Sequence, residues 1–169
     1  MEKLSKIQVN RKEYERLLKD DNYTDVRFNP KSGALSAIHK KHNFDPTIGK
    51  FGIPRGDYEK ISLNVLYNNG MSVILGSETP IYQVKAAEGI LNGEKFDIKG
   101  IEGNGKRNII DKISDVGRKK AEIAVLYYHD ARMFDLQKIT NAYNGYLKVS
   151  KSKRVQEVYY IVENKLFKL

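Results

Sequence analysis

The stretch Glu88-Gly89-Ile90-Leu91-Asn92-Gly93-Glu94-Lys95-Phe96-Asp97-Ile98-Lys99 decides the reading of this chain. Asn-Gly between two strand-like runs is the strongest short-range hairpin signal, because both residues accept the positive φ that a type I′ turn demands. With a two-residue turn, Leu91 lies opposite Glu94, Ile90 opposite Lys95, Gly89 opposite Phe96 and Glu88 opposite Asp97. Directly opposed residues project to one face with Cβ atoms about 5 Å apart. Lys99, two residues beyond Asp97, shares that face, while Phe96 and Ile98 turn the other way, into a core. Two carboxylates and an ammonium are therefore expected on one side of one hairpin. Opposed like charges destabilise a sheet unless something compensates. A divalent cation is the compensation this pattern suggests, and removing Asp97 should then relieve repulsion in the metal-free chain. Oxygen ligands suit Mg²⁺ or Mn²⁺. Lys99 beside such a metal would orient an attacking water or stabilise charge developing on a phosphate. The bland alternative is a solvated polar face of a surface hairpin.

Outward from the hairpin, helices and strands alternate. Before it, residues 11–20 carry Tyr14, Leu17 and Leu18 at helical spacing, residues 24–28 and 34–38 read as strands around the turn cluster 29–33, and residues 43–56, with Pro46, Gly49, Gly52, Pro54 and Gly56, read as a loop. Asp57 is placed as the N-cap of a helix carrying Tyr58, Ile61, Val65 and Leu66 and stopping at Gly70. Residues 71–75 and 81–84 are expected strands. After the hairpin, Ile109, Ile110, Ile113 and Val116 mark a helix over 107–119, and residues 123–128 form a continuous apolar run of the kind found in a buried central strand. Phe134, Leu136, Ile139 and Tyr143 predict a helix ending at Gly145, followed by a strand over 155–162 and a turn at 164–165. The expected fold is α/β, a mixed central sheet flanked by helices, in one domain over residues 1–169 with 1–22 as a helical N-terminal extension.

Composition narrows the function. In 169 residues, 30 Lys and Arg stand against 21 Asp and Glu, a net charge of +9. Such an excess attracts polyanions, nucleic acid first and an anionic membrane second. The absence of cysteine rules out disulfide and thiolate chemistry and permits a reducing cytoplasm. No apolar run approaches the roughly 20 residues of a membrane span, and residues 1–6 lack the apolar stretch of a signal peptide.

The order of a helix with Glu, a strand, an acid, a hairpin turn, Asp-x-Lys, a helix and a buried strand resembles the PD-(D/E)xK nuclease core. More specifically, residues 87–99, together with Ala37-Ile38-His39-Lys40-Lys41-His42-Asn43-Phe44, Tyr58-Glu59 and Ile123-Ala124-Val125-Leu126-Tyr127-Tyr128, resemble the C-terminal toxin nuclease domain of contact-dependent growth inhibition proteins and its relatives on phage minor head proteins. The resemblance spans residues 23–165, with the acid-turn-Asp-x-Lys block its most specific part. It implies a restriction-endonuclease-like core, metal-dependent cleavage of RNA and of tRNA in particular, and an immunity protein as partner for toxin members. It also implies a cytoplasmic site of action, in the producing cell or in a target cell that receives the domain. Asp97 and Lys99 match the (D/E)xK pair, Glu59 matches the helical glutamate that supports the metal, and Glu88 stands where aspartate is usual. The alternative is a degenerate core that binds nucleic acid or serves in a phage particle without cleaving.

His39 and His42, three apart, admit a third reading, a metal-free ribonuclease using them as acid and base, beside metal ligation and ordinary hydrogen bonding. His129 is expected at a loop mouth with no role. Residues 102–107 feed a helix N-terminus, so Lys106 and Arg107 are candidate phosphate contacts near Lys99. Arg118, Lys119 and Lys120 are accounted for by the helix dipole they complement. Lys151, Lys153 and Arg154 form the best basic patch for substrate binding.

Overall fold

The structure is a computed structural model that describes residues 4–77 and 87–169. The expected strand at 81–84 lies outside the described residues. Helix α1 (Lys6–Leu18) leads into β1 (Tyr23–Phe28) and β2 (Leu35–His39), then α2 (Gly56–Asn68), β3 (Ser72–Leu75) and the hairpin β4 (Gly89–Leu91) and β5 (Glu94–Gly100). Helix α3 (Asn108–Arg118), β6 (Ile123–Tyr128), α4 (Leu136–Val149), β7 (Glu157–Val162) and β8 (Lys165–Lys168) follow. The described strands form one mixed sheet in sequence order, parallel at β2/β3, β5/β6 and β6/β7 and antiparallel elsewhere.

Every residue of β6 is buried, as its unbroken apolar run requires for a central strand covered on both faces. One face packs Phe96, Ile98, Val125 and Tyr127 against Tyr58, Leu63 and Leu66 of α2. The other packs Ala124, Leu126 and Tyr128 against Ile109, Ile113 and Val116 of α3 and Ile139 and Tyr146 of α4. Helix α1 is part of this fold. Its Leu17 and Tyr14 pack with Leu35 and Ala37 of β2 and Ile74 of β3, and its start is a capping box between Ser5 and Gln8.

Two helix boundaries differ from those expected. Helix α2 begins at Gly56 after Arg55, so Asp57 sits inside the first turn, where its charge meets the helix N-terminus without capping it. The Gly56 amide donates to Asp45 O, so the loop itself supplies a partner at this end. Helix α4 continues through Gly145 to Val149. A Cβ at Gly145 would stand 3.1 Å from Ile110 Cδ1, so this glycine admits a close approach of α3 rather than ending the helix.

Candidate functional site: a carboxylate and lysine cleft at the hairpin

The hairpin turns on two residues. Asn92 (φ 49°) and Gly93 (φ 89°) both adopt positive φ, and the register is Leu91↔Glu94, Ile90↔Lys95, Gly89↔Phe96. Glu88 stands just before β4, and its carboxyl lies near enough to Asp97 of β5 to feel that charge. A Cβ at Gly89 would run into the Ile74 carbonyl oxygen of β3, so only glycine lets β4 lie this close at the point where Glu88 is delivered. Asp97 and Lys99 pair with Ala124 and Leu126, which places them on the α3 face of the sheet.

Asp97 is completely buried, and Glu88 and Glu59 are each 8% exposed. Glu59 comes from α2 and hydrogen-bonds with Glu88, bringing a third carboxyl group to the hairpin. Burial, that hydrogen bond and the charge of Asp97 together push the Glu88 carboxyl well above the ordinary carboxylate range. Two ammonium groups stand beside Asp97: Lys99 Nζ is 3.1 Å and Lys119 Nζ 3.0 Å from its Oδ2. Lys99 is also paired with Asp115 of α3 at 2.5 Å. Burial opposes the charge on Lys99, but Asp97 and Asp115 outweigh it and hold the ammonium above its usual range. The same contact keeps Asp115 ionised against its own burial. Lys99 is thus a fixed cation, not a base.

A cleft of about 350 Å³ is lined by Tyr58, Glu59, Glu88, Lys99, Lys112 and Lys119, with Asp97 buried beneath it. Its rim is tied down by Glu102, which accepts from the Lys50 backbone amide (2.8 Å), Arg55 Nε (2.8 Å) and Tyr58 Oη (2.9 Å). These partners overcome the burial of Glu102 and hold its carboxyl below the usual range. Burial and the same hydrogen bond push the Tyr58 hydroxyl up to about 12.

Glu59 Oε2, Glu88 Oε2 and Asp97 Oδ1 are buried without a hydrogen-bond partner among the described residues. Orphaned carboxylate oxygens in a polar cleft suit a divalent cation. No group of three or more Asp, Glu and His side chains among the described residues forms a ready-made ligand set. A cation here would therefore take one or two carboxylates from the chain, the arrangement Mg²⁺ favours when substrate phosphate and water complete its shell.

The structure brings Glu59, Glu88, Asp97 and Lys99 together and leaves the other candidates elsewhere. Lys106 and Arg107 line a separate pocket between α3 and α4 with Lys138 and Asn141, not the cleft beside Lys99. Lys151, Lys153 and Arg154 are exposed in the α4–β7 loop, and none lines the cleft. The two histidines have different surroundings. His39 accepts from the Lys41 amide and meets Tyr23 edge-on, whereas buried His42 points Nε2 at Glu59 Oε1, 3.6 Å away, with Nδ1 2.8 Å from Gly76 O. His129 follows β6 and stands beside Tyr127, Tyr58 and Phe51. Lys119 and Asp115 are the residues that the sequence does not single out. A lysine at a helix end has a sufficient local explanation, and only the packing of α3 on β5 reveals its second one.

No protein-family model matches the chain, and no curated protein does. Among solved structures, the chain is similar to one chain of the CdiA-CT/CdiI toxin and immunity complex from Burkholderia pseudomallei. The TM-score is 0.52 at 19% identity, over 79% of this chain and 98% of that one. The four flanking helices and the mixed sheet are thus a fold also found in a toxin–immunity assembly.

Proposed function

We propose that the chain is a toxin-type nuclease of contact-dependent growth inhibition, with a PD-(D/E)xK-like site that hydrolyses phosphodiester bonds in RNA, tRNA being the expected substrate. The observation that supports this reading is the clustering of buried Glu59, Glu88 and Asp97 beside Lys99 at one end of the hairpin. Glu88 and Asp97 would hold Mg²⁺ or Mn²⁺, with Glu59 in support. Bound there, the cation would polarise a phosphoryl oxygen and acidify a water. The chain's own contribution is positional and electrostatic. Asp97 and Asp115 fix the Lys99 ammonium where it can stabilise charge developing on the phosphate. His42 and Glu88 flank the Glu59 carboxyl. The net charge of +9 draws in the polyanion, with Lys106, Arg107, Lys151, Lys153 and Arg154 as outlying phosphate contacts. The toxin–immunity neighbour supports an immunity protein as partner.

The test is cleavage of labelled tRNA and duplex DNA with Mg²⁺ or Mn²⁺, with and without EDTA. Cleavage of tRNA that requires metal and is lost in Asp97→Asn is expected. Cleavage that survives EDTA would overturn the metal reading, and no cleavage of either substrate would favour a binding module on a degenerate core.

A further inference from the structure

Asp97 carries two ammonium groups, and they are not equivalent. Lys99 is clamped between Asp97 and Asp115, at 3.1 and 2.5 Å. Lys119 has Asp97 as its one ion-pair partner among the described residues, at 3.0 Å. Its side chain is 15% exposed and lines the cleft. It arises where α3 ends, just before Lys120 turns the chain at φ 60°. Both ammoniums address the same oxygen, Oδ2 of Asp97, one of the two acids assigned to the cation.

We infer that Lys119 is a placeholder cation: its ammonium neutralises Asp97 in the metal-free protein, competes with the divalent ion for Oδ2, and swings into the cleft when the ion binds. This rests on the proposed metal site. Two positive charges cannot share one carboxylate oxygen in a confined site without repelling each other. Lys99, in direct contact with a second carboxylate, stays; Lys119, which feels Asp115 and Glu88 without an ion pair to either, leaves. Released from Asp97, Lys119 lies in the cleft as a cation for substrate phosphate, so the same side chain that limits idle metal uptake serves the loaded state. Lys119 is a positioning residue in the first role and a phosphate contact in the second.

Mn²⁺ titrated calorimetrically into the purified chain tests this, using the parent, Lys119→Met, Lys119→Gln, Lys112→Met and Asp97→Asn. Lys112 lines the same cleft without an ion pair to Asp97, so its variant reports what removing a nearby charge does by itself. Lys119→Gln keeps a hydrogen-bond donor should the methionine variant fold poorly. Both Lys119 variants are expected to bind Mn²⁺ about tenfold more tightly than the parent, a difference of about 1.4 kcal/mol, and Lys112→Met by a much smaller factor. Both should also lose melting temperature in EDTA and regain more than the parent on adding Mn²⁺. Equal affinity in the parent and the Lys119 variants, or an equal gain in Lys112→Met, overturns the placeholder while leaving the metal site standing. Binding that is absent from the parent and from both Lys119 variants, or that persists in Asp97→Asn, overturns the metal site and the placeholder with it.

Discussion

Glu88→Gln in metal-free buffer probes the proton that joins the two glutamates. The folded carboxyl titrates well above its unfolded value of 4.5, because of burial first, then the hydrogen bond to Glu59, then the charge of Asp97. Above pH 4.5 the unfolded chain has released this proton while the folded chain still holds it. The folded chain then binds more protons than the unfolded one, so stability falls as pH rises. The fall runs from pH 4.5 up to the folded value and then stops. Within that window the full slope for one proton is about 1.4 kcal/mol per pH unit. For a domain of this size that is about 3–6 °C of melting temperature per unit. Glutamine has no proton to lose, yet its amide can still donate to Glu59. The difference in stability between Glu88→Gln and the parent should therefore move in the variant's favour by that slope as pH rises through the window. Urea denaturation of both proteins in EDTA at half-unit steps from pH 4.5 to 8 measures it, and the difference removes titrations the two proteins share. Parallel curves throughout would refute a protonated Glu88 and the hydrogen bond built on it.

Three further outcomes follow from the geometry. Gly89→Ala should destabilise the chain by about 3 kcal/mol, the upper range for overpacking, because its Cβ meets the Ile74 carbonyl; denaturant titration checks this. Glu102→Ala should cost about 2 kcal/mol after allowance for partial exposure and open residues 43–55 to limited proteolysis, since its bonds to Lys50 and Arg55 hold them to the cleft. The Glu102 carboxyl is held low, so its contribution is present above pH 4.5 and is lost on acidification through its folded value. Replacing Lys151, Lys153 and Arg154 together by Ala should lower the slope of log affinity against log salt for single-stranded RNA by about 2 if all three neutralise phosphates; an unchanged slope places the contacts elsewhere.

Features that depend on near neighbours in the chain are legible in the sequence. The two-residue turn at Asn92 and Gly93 fixes a register by counting alone, and the positive φ at both residues is the reason. The buried strand Ile123–Tyr128 and the amphipathic α3 are visible from spacing, because one face or both must be covered. The helix boundaries are less legible. Asp57 has the side chain of a cap, but the backbone of the 43–55 loop, fastened by Glu102 from beyond the end of β5, sets where α2 begins. Gly145 has the look of a stop, yet its role is set by Ile110 of another helix. Lys119 and Asp115 carry no local mark at all, because their chemistry arises only when α3 lies along β5.

Opposed acids at Glu88 and Asp97 suggest a repulsion that only a cation relieves, and the structure corrects this expectation. Two ammoniums stand on Asp97, while burial, Glu59 and the charge of Asp97 push the Glu88 carboxyl above the ordinary carboxylate range. Removing Asp97 therefore does not relieve repulsion; it strands positive charge. Lys99 keeps Asp115, but Lys119 loses its ion-pair partner in a place where its side chain is only 15% exposed. Breaking a buried pair from one side costs about 3–5 kcal/mol, and the partial exposure of Lys119 brings the expectation for Asp97→Ala to the lower end, about 3 kcal/mol. Asp97→Asn, which keeps the volume and one acceptor oxygen, should lose less. Thermal and urea denaturation in EDTA separate the two. An alanine variant as stable as the parent would show that the lysines do not depend on Asp97. Repulsion would then be the stronger influence at the hairpin, and a bound cation would again be the compensation the acids lack.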